Sequence, residues 1–276
     1  MGMAGMEGWG RHVDVSVPNL ARIYDYWLGG KDNFTVDRAA AIESAAAVPQ
    51  LPLLARENRA FLRRAVRFCV GAGVTQFLDI GSGLPTADNT HEVAGRAAPE
   101  ARTVYVDIDP VVVSHARALL ATPLTRAVRG DLTRPGELLA AAEATGLIDF
   151  ARPVAVLLGS VLHHVPGEAD PGGSVAAYRE AMAPGSCLVI SHAQLAPGHV
   201  DGGEPLSELG RELIDSWRGA TRGDGTRTRQ EIAAFFGDLT LVEPGLTEIW
   251  EWRPDPGAVT VHAGALTVLG GVARKD

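Results

Sequence analysis

The residues best suited to chemistry form a short series. It comprises Gly81, Ser82 and Gly83, then Asp107 with Ile108, Asp131 with Leu132, and Gly159 with Ser160. Each group follows an apolar run that reads as a strand. Glycines let a backbone bend tightly and bring its N–H groups against a ligand with no Cβ in the way. A carboxylate such as Asp107 can accept from two neighbouring hydroxyls, and Asp131 can accept from an exocyclic amine. The backbone N–H of Leu132 can meet a ring nitrogen, while Ile108 and Leu132 offer apolar faces to a flat heterocycle. Asp79, at the start of the glycine turn, either steadies that turn or touches ligand. The ordered set is complementary to a nucleoside that bears an amino acid.

Three further clusters carry polar chemistry. His163 and His164 end the fourth strand, where a neutral imidazole could remove a proton from a bound substrate. The alternative is one packed and one solvent-facing histidine. The segment 24–34, YDYWLGGKDNF, gathers aromatic, acidic, basic and amide groups around two glycines. It reads as part of a substrate pocket with Asp25, Tyr26, Lys31 and Asn33 facing inward, or else as a capped helix end with a polar turn. Arg56, Glu57, Asn58 and Arg59 could aim a cation at a ligand carboxylate, or pair on a helix surface. No metal site is expected, because no ligand-spaced third group joins His163 and His164 with His192 or His199. Cys69 and Cys187 read as buried thiols.

The elements that must position these residues alternate regularly from Thr75 onward. Apolar strands at 76–80, 103–107, 125–128, 154–158 and 187–191 are separated by amphipathic or Ala-rich helices. Strands apolar on both faces, alternating with helices, predict a parallel sheet covered on both sides. Ligands then bind at the carboxyl ends of the strands, beside the point where strand order reverses. Three helices precede the sheet, at about 20–28, 36–47 and 53–70, and form a plausible substrate-side cap. Later helices are expected near 205–217 and 228–236, with closing strands in 239–243, 246–252 and 259–272. Trp217, Trp250 and Trp252 read as core or pocket wall, and the polar stretch 218–228 as a solvated loop, with a mobile lid or an anion-binding segment as the alternative.

Composition narrows the function. The 276 residues are 46% hydrophobic and 21% charged, with a net charge of −8 and no basic face suited to phosphate neutralisation. No nucleic-acid partner is expected. No apolar run approaches the roughly 20 residues that span a bilayer, and the N-terminus lacks the layout of a signal peptide. The expectation is a cytoplasmic protein with a small-molecule substrate and no membrane partner; the pattern sets no oligomeric state.

A dinucleotide site is the obvious competitor. Its G-x-G-x-x-G fingerprint needs a third glycine, and Thr86 stands there, with Pro85 lengthening the loop. Asp107 also lies about 28 residues beyond Asp79, further on than the usual acidic position.

FLDIGSGLPT (77–86), VYVDIDP (104–110) and APGSCLVISH (183–192) resemble one actinobacterial family, as do YDYWLGGKDNF (24–34) and GGVARK (270–275). It is the S-adenosylmethionine-dependent methyltransferase-like family long catalogued as a domain of unknown function. The resemblance runs from about residue 15 to the C-terminus. It implies an α/β, Rossmann-like class I methyltransferase fold, with a seven-stranded, mostly parallel sheet, helices on both faces and an N-terminal helical cap. By that resemblance Gly81 and Gly83 approach the amino-acid part of S-adenosylmethionine, Asp107 holds the ribose and Asp131 meets the adenine. The second histidine of Leu162–Val165 departs from the family, whose members more often carry an aromatic there. The organisation expected is a loose N-terminus at 1–17, a cap at 18–72 and a cofactor-binding core at 73–276. A non-catalytic module that senses the cofactor would share the glycine turn and is the second reading.

Overall fold

The computed structural model describes residues 16–86, 88–195, 227–258 and 266–276. In chain order the elements begin with α1 (Leu20–Trp27), α2 (Thr35–Ala47) and α3 (Leu51–Gly71). They continue through β1 (Gln76–Ile80), α4 (Thr90–Ala97), β2 (Arg102–Asp107), α5 (Pro110–Leu119), β3 (Thr125–Arg129) and α6 (Pro135–Glu143). Next come β4 (Ala155–Gly159), a 3₁₀ turn (Leu162–His164), α7 (Pro171–Ala181) and β5 (Cys187–Leu195). The described chain closes with α8 (Arg229–Ala234), β6 (Thr240–Leu241), β7 (Thr247–Glu248) and β8 (Leu266–Arg274).

These strands form a sheet ordered β3-β2-β1-β4-β5-β8-β6, with β7 also paired to β8. The first five run parallel. β8 is antiparallel to β5 along nine residues, from Cys187 opposite Arg274 to Leu195 opposite Leu266. β6 and β7 pair with β8 at different heights, so eight strands occupy seven positions. The stretches 239–243 and 246–252, read as longer strands, shrink to two residues each. Pro244 and Gly245 interrupt them, and proline has no N–H for a ladder. Ile249, Trp250 and Trp252 then turn inward and are buried.

Side chains alternate across the strands with period two. Phe77, Ala155, Leu157, Cys187 and Val189 face one core with Phe61, Ala65 and Cys69 of α3. Leu78, Ile80, Val104, Val156 and Leu188 face the other with Leu138, Tyr178 and Phe236. The third helix of the expected cap therefore also covers the sheet. Phe61 meets Trp252 edge-on with ring centroids 5.5 Å apart, and Arg64 Nε donates to the Trp252 carbonyl at 2.9 Å. β3, the opposite edge, carries Arg126 and Arg129, charges that discourage pairing with another chain.

From β1 the chain winds outward through β2 and β3, then returns to add β4 on the other side of β1. That reversal opens a crevice at the carboxyl ends of β1 and β4, over which α1 and α2 lie. Residues 1–15, the helix expected at 205–217 with Trp217, and His199 lie outside the described residues, as do 259–265 and all but the end of the stretch 218–228. Among the described residues no helix is long and apolar enough to cross a membrane.

Candidate active site

The glycine turn is built by two different constraints. Gly81 has φ +69°, and a Cβ there would stand 2.3 Å from Val161 Cγ2. Gly83 has φ +66° but would meet nothing within 4 Å. The N–H groups of Gly81 and Ser82 donate to the Val106 carbonyl, and that of Gly83 donates to Asp107 Oδ2 at 3.0 Å. Beyond the turn the chain runs through Leu84, Pro85 and Thr86 before α4 begins at Thr90. This long entry differs from the tight turn-to-helix step of a dinucleotide site.

Each acid at a strand end has a structural partner. Asp79 is buried, and its Oδ2 accepts from Thr90 Oγ1 at 2.6 Å, tying β1 to α4. Asp107 also accepts from the Asp109 N–H at 3.0 Å. Burial pushes both carboxyls above the usual carboxylate range. Asp131 Oδ1 accepts from the Thr133 N–H at 2.9 Å and its hydroxyl at 2.7 Å, closing a local turn. A carboxylate oxygen has more than one acceptor direction, so these bonds leave capacity for a ligand. Leu132 is partly buried, its carbonyl accepting from Tyr178 OH at 2.8 Å. Ile108 is 57% exposed although apolar.

At the end of β4, Gly159 accommodates Leu62, which would lie 2.8 Å from a Cβ. Ser160 follows with φ +52°. Its N–H donates to Ser191 Oγ at 2.9 Å, the first link of a polar relay. Ser191 Oγ donates to Asn58 Oδ1 at 2.6 Å, Asn58 Nδ2 to Tyr24 OH at 3.0 Å, and Tyr24 OH to the Ala55 carbonyl at 3.0 Å. A second bridge joins the first helix to the start of α5. Asn19 caps α1 with its Oδ1 and donates from Nδ2 to Asp109 Oδ2 at 2.7 Å. Tyr24 and Asn58 fall within segments the sequence marked, but neither was given a role of its own, and Asn19 and Ser191 were not singled out as site residues. Asn19, a capping type just before a helical run, was the one with a local signal.

The histidines form a cluster. The rings of His163 and His164 lie 4.1 Å apart, and those of His163 and His192 5.3 Å. His163 Nδ1 accepts from the Ala193 N–H at 3.3 Å, which requires the neutral ring. His192 Nδ1 donates to the Ala193 carbonyl at 2.6 Å, leaving Nε2 to face Arg227 Nη1 at 3.3 Å. Burial pushes His164 down to about 4 and His192 to about 3. Burial and then the neighbouring His164, His192 and Arg227 hold His163 well below its ordinary value. No group of three metal-ligating side chains occurs among the described residues.

One cavity of about 1150 Å³ brings most of these residues together. Its wall includes Asp79, Gly81, Ser82, Gly83, Asp107, Ile108, Asp131, Leu132, Gly159, Ser160, His163 and His164. It also takes Asn58, Arg59 and Tyr24, but not Arg56. From the polar segment after α1 it takes Asp25, and not Tyr26, Lys31 or Asn33. The reason is local. Asp25 Oδ2 accepts from Asn33 Nδ2 at 2.8 Å and from the Asp32 N–H at 3.0 Å, folding the segment onto itself. Burial raises the Asp25 carboxyl.

A parallel sheet with an antiparallel β8, and a ligand-ready crevice at its switch point, define a Rossmann-like class I methyltransferase. The chain belongs to the S-adenosyl methyltransferase family, matching it over residues 6–276. It is 41% identical to a candidate methyltransferase from Thermobifida fusca, with a TM-score of 0.85 over 95% of this chain and 96% of that one. It is 36% identical to a DUF574 family protein from Streptomyces avermitilis, with a TM-score of 0.84 over 95% and 99%. CalH, a methyltransferase solved with S-adenosylhomocysteine, is 13% identical with a TM-score of 0.51 over 92% and 72%, a likeness of fold alone. No curated protein matches the chain. Family and fold make this an S-adenosylmethionine-dependent methyltransferase, which has a methyl acceptor as substrate.

Proposed function

We propose that the cavity holds S-adenosylmethionine against the strand ends and a small-molecule acceptor beneath α1, α2 and the start of α3. The observation that carries this reading is the cavity itself. Pockets for one drug-sized ligand run to roughly 300–1,000 Å³, and this one, at about 1150 Å³, has room for two partners. Its residues suit the cofactor. Gly83 leaves open space where a side chain would stand, Ile108 keeps an apolar face bare, and Asp79, Asp107 and Asp131 suit a cationic ligand with hydroxyls.

In this reading Gly81, Ser82 and Gly83 border the amino-acid part, Asp107 accepts from the ribose, and Asp131 accepts from the adenine amine. Ile108 and Leu132 flank the adenine ring, and Asp79, Gly159 and Ser160 complete the wall. The cofactor supplies a methyl group already activated by a sulfonium. The residues 18–72 exclude water and align the acceptor, and alignment accounts for much of the rate of such a transfer. His164 takes the acceptor's proton, with His163 packed behind it. Asp25 shapes the wall, and Asn33 supports the turn that holds it; Tyr26 and Lys31 stand outside the wall. The net charge of −8 favours a small molecule over nucleic acid as acceptor, and the protein is placed in the cytoplasm as part of the same proposal.

Calorimetry with S-adenosylmethionine and S-adenosylhomocysteine tests the assignment. Both are expected to bind below millimolar concentration, and binding of neither would overturn it. Asp107→Ala is expected to weaken binding roughly 10- to 100-fold, the worth of charged hydrogen bonds to the ribose. An unchanged affinity would remove Asp107 from that role.

A further inference from the structure

We infer that the methyl acceptor is an uncharged, largely apolar aryl alcohol, methylated on its hydroxyl oxygen. This rests on the methyltransferase reading above and names the substrate class for the same cavity. The part of the cavity beneath the helices is walled by Leu20, Ile23, Trp27, Leu51, Leu54 and Val268. Burying an aromatic ring against such a wall removes apolar surface from water and favours binding.

The polar side chains in this chamber are mostly committed to the protein. Trp27 Nε1 donates to the Ala41 carbonyl at 3.2 Å and Ser44 Oγ to the Ala40 carbonyl at 2.6 Å. Tyr24 OH belongs to the relay and Asp25 to its own turn. The ring of His164 makes no hydrogen bond among the described residues and stands on the cavity wall, in the 3₁₀ turn that follows Ser160.

Charge narrows the class. Arg59 is the one Lys or Arg side chain among the described residues lining the cavity. Its field acts on Asp79 and Tyr105 of the first two strands, and on Tyr24 at the edge of the chamber. Among the described residues a carboxylate acceptor would find only Arg59, whose charge already acts on Asp79. An ammonium would sit beside neutral imidazoles and the sulfonium, and Glu43 is too exposed to compensate strongly. A hydroxyl meets neither penalty. Its methylation forms an O–CH₃ bond as the sulfur–methyl bond breaks, with the sulfur keeping the electron pair. The hydroxyl proton passes to a ring nitrogen of His164 and on to solvent.

The test compares three probes of one shape on the full chain saturated with S-adenosylhomocysteine: 2-naphthol, 2-naphthoate and 2-naphthylmethylammonium. Calorimetry should show 2-naphthol binding at least about tenfold more tightly than either charged probe. Ala47→Trp, which fills the chamber from α2, should weaken 2-naphthol about tenfold or more and leave S-adenosylhomocysteine affinity unchanged. Equal or tighter binding of a charged probe overturns the inference, as does no 2-naphthol binding at all or an indifferent Ala47→Trp. The probe series needs no variant, so it decides even if Ala47→Trp fails to fold. Loss of S-adenosylhomocysteine binding by the unaltered protein is a separate result, and it overturns the cofactor assignment first.

Discussion

Gly81 and Gly83 both hold a left-handed backbone, yet different neighbours require them. At Gly81 a side chain would also collide with Val161, whereas at Gly83 it would meet open space on the cavity wall. Gly81→Ala should therefore cost about 2–4 kcal/mol of stability, combining left-handed strain with overpacking. Gly83→Ala should cost only the strain, about 1–2 kcal/mol, while its methyl group obstructs the cofactor. Urea unfolding and S-adenosylhomocysteine calorimetry separate the two, and equal losses of stability would show that Val161 yields. The sequence made the turn legible because Gly, Pro and Asp have strong local preferences. It hid the contact with Val161, about 80 residues away. It also hid the second task of Asp107, which anchors the Gly83 N–H before any ligand arrives.

Elements were legible where periodicity ran long. The strands β1 to β5 and helices α1 to α3 fall close to where apolar spacing placed them, because burial on both faces and on one stripe leaves distinct patterns. The two short strands beside β8 were overextended, since Trp250 and Trp252 are as apolar in a buried turn as in a strand. The ties between elements were not legible at all. Tyr24, Asn58 and Ser191 lie far apart in sequence, and each alone is an ordinary helix or strand residue. Together they lock α1 and α3 to the middle of β5. Asn58→Leu leaves the Ser191 and Tyr24 hydroxyls short of a buried partner, so it should cost about 2–4 kcal/mol. A double-mutant cycle with Tyr24→Phe should show coupling of about 1 kcal/mol in urea unfolding. Strict additivity would mean that water replaces the relay.

The whole molecule binds its histidine cluster in the neutral state, and that sets its response to acid. Unfolded histidines titrate near 6.5, whereas His164 and His192 fall to about 4 and about 3 in the fold, and His163 is also depressed. Below pH 6.5 the unfolded chain takes up protons that the folded chain refuses. Their contribution to stability is therefore complete above that pH and is lost as pH falls through the folded values. Asp25, Asp79 and Asp107 act oppositely, because burial raises them. Their charging costs stability as pH rises from the unfolded carboxylate value of about 3.8 through the folded values, which opposes the histidine effect on the acid limb. From pH 6.5 to 5, His192 alone should remove about 2 kcal/mol. Urea midpoints should fall steadily over that interval, and His192→Asn, which cannot titrate, should shallow the slope by about one proton. A profile that is flat from pH 7 to pH 5 would mean that the cluster opens to water. In that case His164 would titrate near its ordinary value, and any methyl transfer that relies on it would lose its base around pH 6.5 instead of near 4.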